Sequence, residues 1–274
     1  MRQGLLDLYS STIDRAYYVA SYLMRDEGLT TDLLLVSYAR ADQYLPMLDE
    51  GVSPGQLMDR IVAASGMTML ARVHEEDYRK LFVQSETESR GYLKREDVPS
   101  ICRTAEEEKR EDGTKSPYER ASIRLVTALR MMNLPESFTA FCYYELAMSP
   151  EEIGAAMGIP EDLVERHLTA ACAKLRSLTS EWIRQGRIPA DVEPIAFLIR
   201  GFAREQERDR YEGEDLLPII ESHRESLRTG EDLPRAEGDR DRQGRSRRLA
   251  AGAEDLKRRL LDGADRFLSR LSSK

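Results

Sequence analysis

Apolar residues in the first seventy positions recur with the period of helices. Leu5, Tyr9, Ile13, Ala16, Tyr17, Ala20 and Met24 fall on one side of a 3.6-residue repeat, which predicts a long amphipathic helix. Thr30 or Thr31 is placed to cap a second helix with Leu34, Tyr38, Ala41 and Leu45 inward, and a third runs from Pro54 with Leu57, Ile61, Ala64 and Thr68 on its face. Three helix starts share one device, Ser-Pro followed by Glu or Gln three positions after the serine. These are Ser53 with Gln56, Ser116 with Glu119 and Ser149 with Glu152. In such a capping box the serine oxygen accepts an orphan N–H, the longer side chain reaches back to the serine N–H, and proline loses nothing at a position that has no partner for an N–H.

The pattern changes over residues 86–115, where 106–112 is almost wholly charged and Gly91, Pro99 and Gly113 punctuate the segment. This reads as a charged, acidic linker. A second helical cluster follows: Tyr118, Leu125, Leu129 and Met132 on one helix, a new start at Leu134-Pro135-Glu136, and then residues 149–178. That last stretch has helix-turn-helix spacing. Gly154 stands where two helices would cross closely, Gly158 in the turn, and Ile153, Met157, Ile159, Val164 and Leu168 return to a core.

Beyond residue 186, 194–202 and 216–227 are expected to be helical and 230–248, polar and mixed in charge, to be disordered. Residues 249–271 place Leu249, Leu256, Leu260, Ala264, Phe267 and Leu271 on one stripe, whose default reading is docking on the body of the protein. The expectation is an all-α protein. Two small helical domains, 1–85 and 116–183, are joined by the linker 86–115, the second contains a helix-turn-helix, and 184–274 form a partly disordered C-terminal extension with an amphipathic terminal helix.

Composition agrees with a helical chain: among 274 residues, 33% are charged and only 7% aromatic. The net charge of −8 opposes nucleic acid overall, so any DNA contact has to come from a local basic patch. Cys102, Cys142 and Cys172 lie far apart and do not combine with His74, His167 and His223 into a ligand spacing. Free thiols in a reducing cytoplasm are expected, with no metal and no cofactor. The N-terminus has no continuous apolar run of the signal-peptide kind, and no stretch reaches membrane-spanning length. Without a phosphate-binding glycine loop, a nucleophile elbow or metal-spaced His and acid pairs, an enzyme is the least supported class.

The order of these parts resembles a bacterial RNA polymerase sigma factor of the extracytoplasmic-function type. Residues 17–26, Tyr-Tyr-Val-Ala-Ser-Tyr-Leu-Met-Arg-Asp, sit where such factors have a Tyr, an Ala and paired Leu before Gly-Asp. Asp32-Leu33-Leu34 and Tyr38-Ala39-Arg40-Ala41 match Asp-Leu-Val and Phe-Leu-Arg-Ala, and residues 57–61, Leu-Met-Asp-Arg-Ile, stand in place of Trp-Leu-Tyr-Arg-Ile. In the second cluster, Leu134-Pro135-Glu136, Glu151-Glu152-Ile153-Gly154, Gly158-Ile159 and Lys174-Leu175-Arg176 match the family's Leu-Pro-Glu, Glu-Glu-Ile-Ala, Leu-Gly-Ile and Lys-Leu-Arg. The resemblance covers about residues 5 to 180. It implies a cytoplasmic protein whose Asp32, Leu35, Tyr38 and Arg40 face the polymerase core. It also implies that Arg60 and Arg72, with Arg166, His167, Thr169 and Lys174 of the helix-turn-helix, face promoter DNA.

The departures fall where DNA would lie. Ala63 and Ala64 stand in place of an Arg-Asn pair, and residues 162–167, Asp-Leu-Val-Glu-Arg-His, in place of Gly-Thr-Val-Lys-Ser-Arg. Glu161, Asp162 and Glu165 suit the positive end of a helix but oppose phosphate. Leu35 and Val36 replace a polar Gln-Glu. Two functions therefore follow from the sequence. One is a transcription initiation protein that carries polymerase to promoters. The other is a sigma-mimicking adaptor that offers its shape, and apolar residues such as Leu35, Val36 and Leu163, to an anti-sigma or other regulatory protein. A plain helical repressor accounts for the helix-turn-helix but leaves the N-terminal match unexplained.

Overall fold

The computed structural model describes residues 2–45, 53–73, 91–99 and 115–222, and among them all regular structure is helical. The helices are α1 (Arg2–Met24), α2 (Glu27–Tyr44), α3 (Pro54–Val73), α4 (Pro117–Arg130), α5 (Leu134–Tyr144), α6 (Pro150–Met157), α7 (Glu161–Arg184), α8 (Pro194–Arg208) and α9 (Leu217–Ser222), with one 3-10 turn at Arg95–Asp97. The charged run 106–112, His74, Cys102, His223, the polar stretch 230–248 and the apolar stripe of 249–271 lie outside the described residues. The chain divides into two compact units, one gathering described residues of 1–80, 154–159 and 209–274, the other those of 81–153 and 160–208.

In the first unit α1, α2 and α3 pack pairwise, and α9 lies on α2. The start of α1 keeps the expected single stripe, with Leu5, Leu8 and Tyr9 buried while Leu6, Asp7 and Ser10 are exposed. Its second half does not: Tyr18, Val19, Ala20, Tyr22, Leu23 and Met24 are all buried, because a helix touching two neighbours is covered on more than one side. Residues 61–70 of α3 are buried without interruption for the same reason. Gly66 permits the close approach; a Cβ there would stand 3.0 Å from Leu23 Cδ1 and 3.3 Å from Leu33 Cδ2.

The start of α2 departs from expectation. Asp26 caps it, accepting from Leu29 N–H at 2.8 Å, and the helix begins at Glu27. Thr30 and Thr31 are interior residues whose hydroxyls donate back to the Asp26 and Glu27 carbonyls, because an aspartate four residues earlier meets the same capping need.

The second unit is built from α4 packed on α8 and α5 packed on α7, with further contacts of α7 to α4 and α8. Gly201 makes the α4 to α8 crossing possible, since a Cβ there would meet Ser122 O at 2.8 Å and Val126 Cγ2 at 2.6 Å. Phe202 meets Phe141 edge-to-face at 5.4 Å between centroids, and Tyr118 stacks on Phe197 at 5.8 Å. Part of the segment expected to be an extension, 194–208, is thus core in this unit.

Two of the three capping boxes close reciprocally. Ser53 N–H donates to Gln56 Oε1 while Ser53 Oγ accepts from Gln56 N–H, and Ser149 with Glu152 does the same. At Ser116 only the serine half forms, because the Glu119 carboxylate accepts instead from Arg208 at 3.3 Å and lies 3.8 Å from Arg204, both on α8.

Candidate functional site

Helix α2 carries the four residues matched to the polymerase-facing positions, and the structure gives them different settings. Asp32 and Leu35 are half-buried. Burial, with the charge of Asp26 nearby, holds the Asp32 carboxyl above the usual carboxylate range. Tyr38 is fully buried: its hydroxyl pairs with Thr12 Oγ1 at 2.9 Å and its ring lies 5.0 Å from that of Tyr9. Burial pushes its phenol well above the ordinary value. Arg40 is buried too and donates to Ser65 Oγ on α3 at 3.1 Å, so both side chains serve inside the bundle. Val36, expected as a new surface residue, is 2% exposed.

On α3, Arg60 is half-buried and its guanidinium donates to the Gln56 carbonyl at 3.4 Å, one turn back. Arg72 sits in the last turn of α3, with its side chain outside the described residues. The neighbouring Asp59 is bound instead by Arg15 of α1, whose Nε and Nη2 donate to it at 3.1 Å each. Burial still raises the Asp59 carboxyl, against the lowering influence of Arg15 and Arg60.

The region expected to form a helix-turn-helix begins at Ser149, whose reciprocal cap starts α6. Gly158 follows it with φ +69°, and Ile159 N–H closes onto the Gly154 carbonyl at 3.0 Å. That left-handed conformation is one glycine adopts without strain. Pro160 precedes α7, whose first turn carries Glu161 and Asp162 in water. Ile153, Met157, Val164 and Leu168 are buried as their spacing predicts, whereas Ile159 is only half-buried.

The nominated side chains of α7 are mostly engaged within the protein. Arg166 Nη2 lies 2.8 Å from Asp162 Oδ2 one turn earlier, so the acid balances the base on the same face of the helix. His167 is 2% exposed and belongs to the core, and Thr169 is half-buried. Lys174 Nζ donates to both oxygens of Glu136 at 2.8 and 2.7 Å. Leu163, expected to offer a new apolar contact, is 9% exposed.

Several participants carry no signal in a linear reading. Residues 91–98 lie on the second unit: Tyr92 donates to Glu165 at 3.2 Å, Arg95 N–H donates to the Tyr143 hydroxyl at 3.2 Å, and the Tyr144 hydroxyl donates to the Leu93 carbonyl at 2.8 Å. Burial and the Glu165 charge push the Tyr92 phenol up to about 12. Glu165 therefore has an internal partner. Cys142 and Cys172 are buried, and burial raises the Cys172 thiol, which contacts the Tyr144 hydroxyl at 3.1 Å. Among the described residues no three His, Cys, Asp or Glu side chains gather as a metal site, and no helix is long and apolar enough to cross a membrane.

Comparison with family models, with curated proteins and with solved structures finds no match to this chain.

Proposed function

We propose that this chain is a divergent sigma-factor-like transcription protein that binds RNA polymerase core through α2 and directs it to promoter DNA. The observation that carries the reading is the ordered series of motifs, from Tyr17 through Asp32, Tyr38 and Arg60 to Leu134, Glu151 and Lys174. Two features are in keeping with it: the three-helix packing of α1 to α3, and the glycine turn between α6 and α7, which suits a helix-turn-helix. On this reading Asp32 and Leu35 are the α2 side chains left partly open for polymerase, and half-buried Arg60 is the α3 residue assigned to DNA. Tyr38 and Arg40 act at one remove, by holding α2 in its bundle. Purified full-length protein is expected to co-elute with core polymerase and to support run-off transcription from a genomic promoter library. Failure in both assays sinks the proposal.

A second reading, a sigma-mimicking adaptor for an anti-sigma or other regulatory protein, is favoured by one observation. Arg166 and Lys174 each face a carboxylate of the same chain, which leaves little positive charge to release counterions from DNA. The burial of Val36 and Leu163 takes from it two of the apolar contacts the sequence suggested. Recovery of a small regulator without polymerase in a pull-down favours the adaptor; polymerase with salt-sensitive promoter binding favours the initiation protein.

A further inference from the structure

Residues 209–222 return to the first unit and lie on α1 and α2. Tyr211 N–H donates to Asp14 Oδ1 at 3.0 Å, and its ring meets that of Tyr17 edge-on at 5.6 Å. Leu216 N–H donates to the Tyr9 hydroxyl at 3.2 Å, and the Tyr9 ring rests on Tyr38 of α2. Leu216 and Ile220 are buried, at 3% and 0% exposure, and α9 packs on α2. Between Tyr211 and Leu216, the residues Glu212, Gly213, Glu214 and Asp215 are all exposed.

We propose that residues 209–222 are an intramolecular strap that occupies part of the α1 to α2 face and competes with the partner of α2. The proposal rests on the reading above, in which that partner is the polymerase core. Two physical features suit a strap that can be displaced. A six-residue helix does not persist alone in water, so α9 holds its shape through what it is docked on. Its apolar anchorage is also short, being essentially Leu216, Ile220 and the ring of Tyr211, while the acids between them stay hydrated whether the strap is docked or free. A binding protein that covers the same face therefore has only a small contact to overcome, and in the free chain the strap covers part of that face while Asp32 and Leu35 stay partly open.

The test uses full-length protein carrying Ile220→Asp, with Ile219→Asp as its neighbour control, since Ile219 is 40% exposed. Tyr211→Ala serves as a milder release should Ile220→Asp disturb the bundle. Release is read by the rate of tryptic cleavage after Arg210, and function by affinity for core polymerase. The expected result is cleavage at least tenfold faster and core affinity at least tenfold higher for Ile220→Asp or Tyr211→Ala than for wild type and Ile219→Asp. Unchanged cleavage at Arg210 in both release variants shows that the segment is not held by these contacts and overturns the proposal. Faster cleavage with core affinity equal to wild type overturns the proposal alone. Faster cleavage with no core binding by any of the proteins overturns the polymerase reading and the proposal with it.

Discussion

Lys174 of α7 and Glu136 at the start of α5 form a two-pronged ion pair in which the lysine side chain is 52% exposed and the carboxylate only 7%. The acid depends on the base more than the base on the acid. Water can solvate the lysine if the pair breaks, but a carboxylate so covered keeps its desolvation cost. The Glu136 N–H is in turn capped by Asn133 at 3.0 Å, so the pair secures a helix start against the neighbouring helix.

Lys174→Ala is accordingly expected to destabilise the protein by about 1 to 2 kcal/mol, the range for a charge-assisted bond with one partner half in water. Adding Glu136→Gln is expected to restore part of that loss, because no buried charge then remains unpaired. Urea melts of both variants check it. A larger loss in the double variant than in the single one contradicts the argument.

The Arg15 to Asp59 pair gives a pH dependence. Burial already holds the native Asp59 carboxyl above its unfolded value. A raised native pKa contributes stability that is full below the unfolded carboxyl pKa and is lost as pH rises through the native one. Arg15→Ala removes the main lowering influence, so the native value rises further. The variant is expected to fall short of wild type by about 2 kcal/mol at pH 7.5. The shortfall shrinks as pH falls toward the ordinary carboxylate range, where Asp59 takes up a proton in the variant. Chemical melts from pH 7.5 down to 4.5 decide it, and a shortfall that grows on acidification refutes it.

Ala147, exposed between α5 and α6, has φ +56°, a conformation that costs a residue with a Cβ about 1 kcal/mol. Ala147→Gly removes that strain but adds freedom to the unfolded chain, so a net gain of about 0.5 kcal/mol is expected. A rise in the thermal midpoint checks it; a fall shows that the methyl group is worth more than its strain.

Gly201→Ala tests the α4 to α8 crossing from the opposite direction. Its methyl would collide with the main chain of Ser122 as well as with Val126, and main chain cannot turn aside as a flexible side chain does. A loss of about 2 kcal/mol is expected from this overpacking. Far-UV circular dichroism melts measure it, and an unchanged melt would mean that α8 is not held at this distance.

Periodicity and serine caps made most of the helices legible, because both are local properties of consecutive residues. What they did not show is how many sides of a helix are covered. Periodicity gives α1 a single stripe, whereas Val19, Tyr22 and Leu23 are buried on other faces. Asp26, Thr30 and Thr31 have similar local claims to cap α2, and the structure gives the cap to Asp26. Candidate contacts fared differently again. A resemblance assigns a role by position, and on that basis alone Lys174 is expected to face DNA. That its partner is a carboxylate 38 residues earlier is a tertiary fact without a local signature. Tyr92 reaching Glu165 across 73 residues is another.

The bond from Arg208 to Glu119 spans 89 residues and joins the first turn of α4 to the last turn of α8. On a ribosome this separation becomes a delay. Helices α4, α5 and α7 leave the exit tunnel before α8 has been delivered, and during that interval Val126 and Phe141 have no Gly201 or Phe202 to close over them. A nascent chain at this stage presents an apolar surface that attracts chaperones or other half-made chains. Premature termination near residue 190 would make that interval permanent.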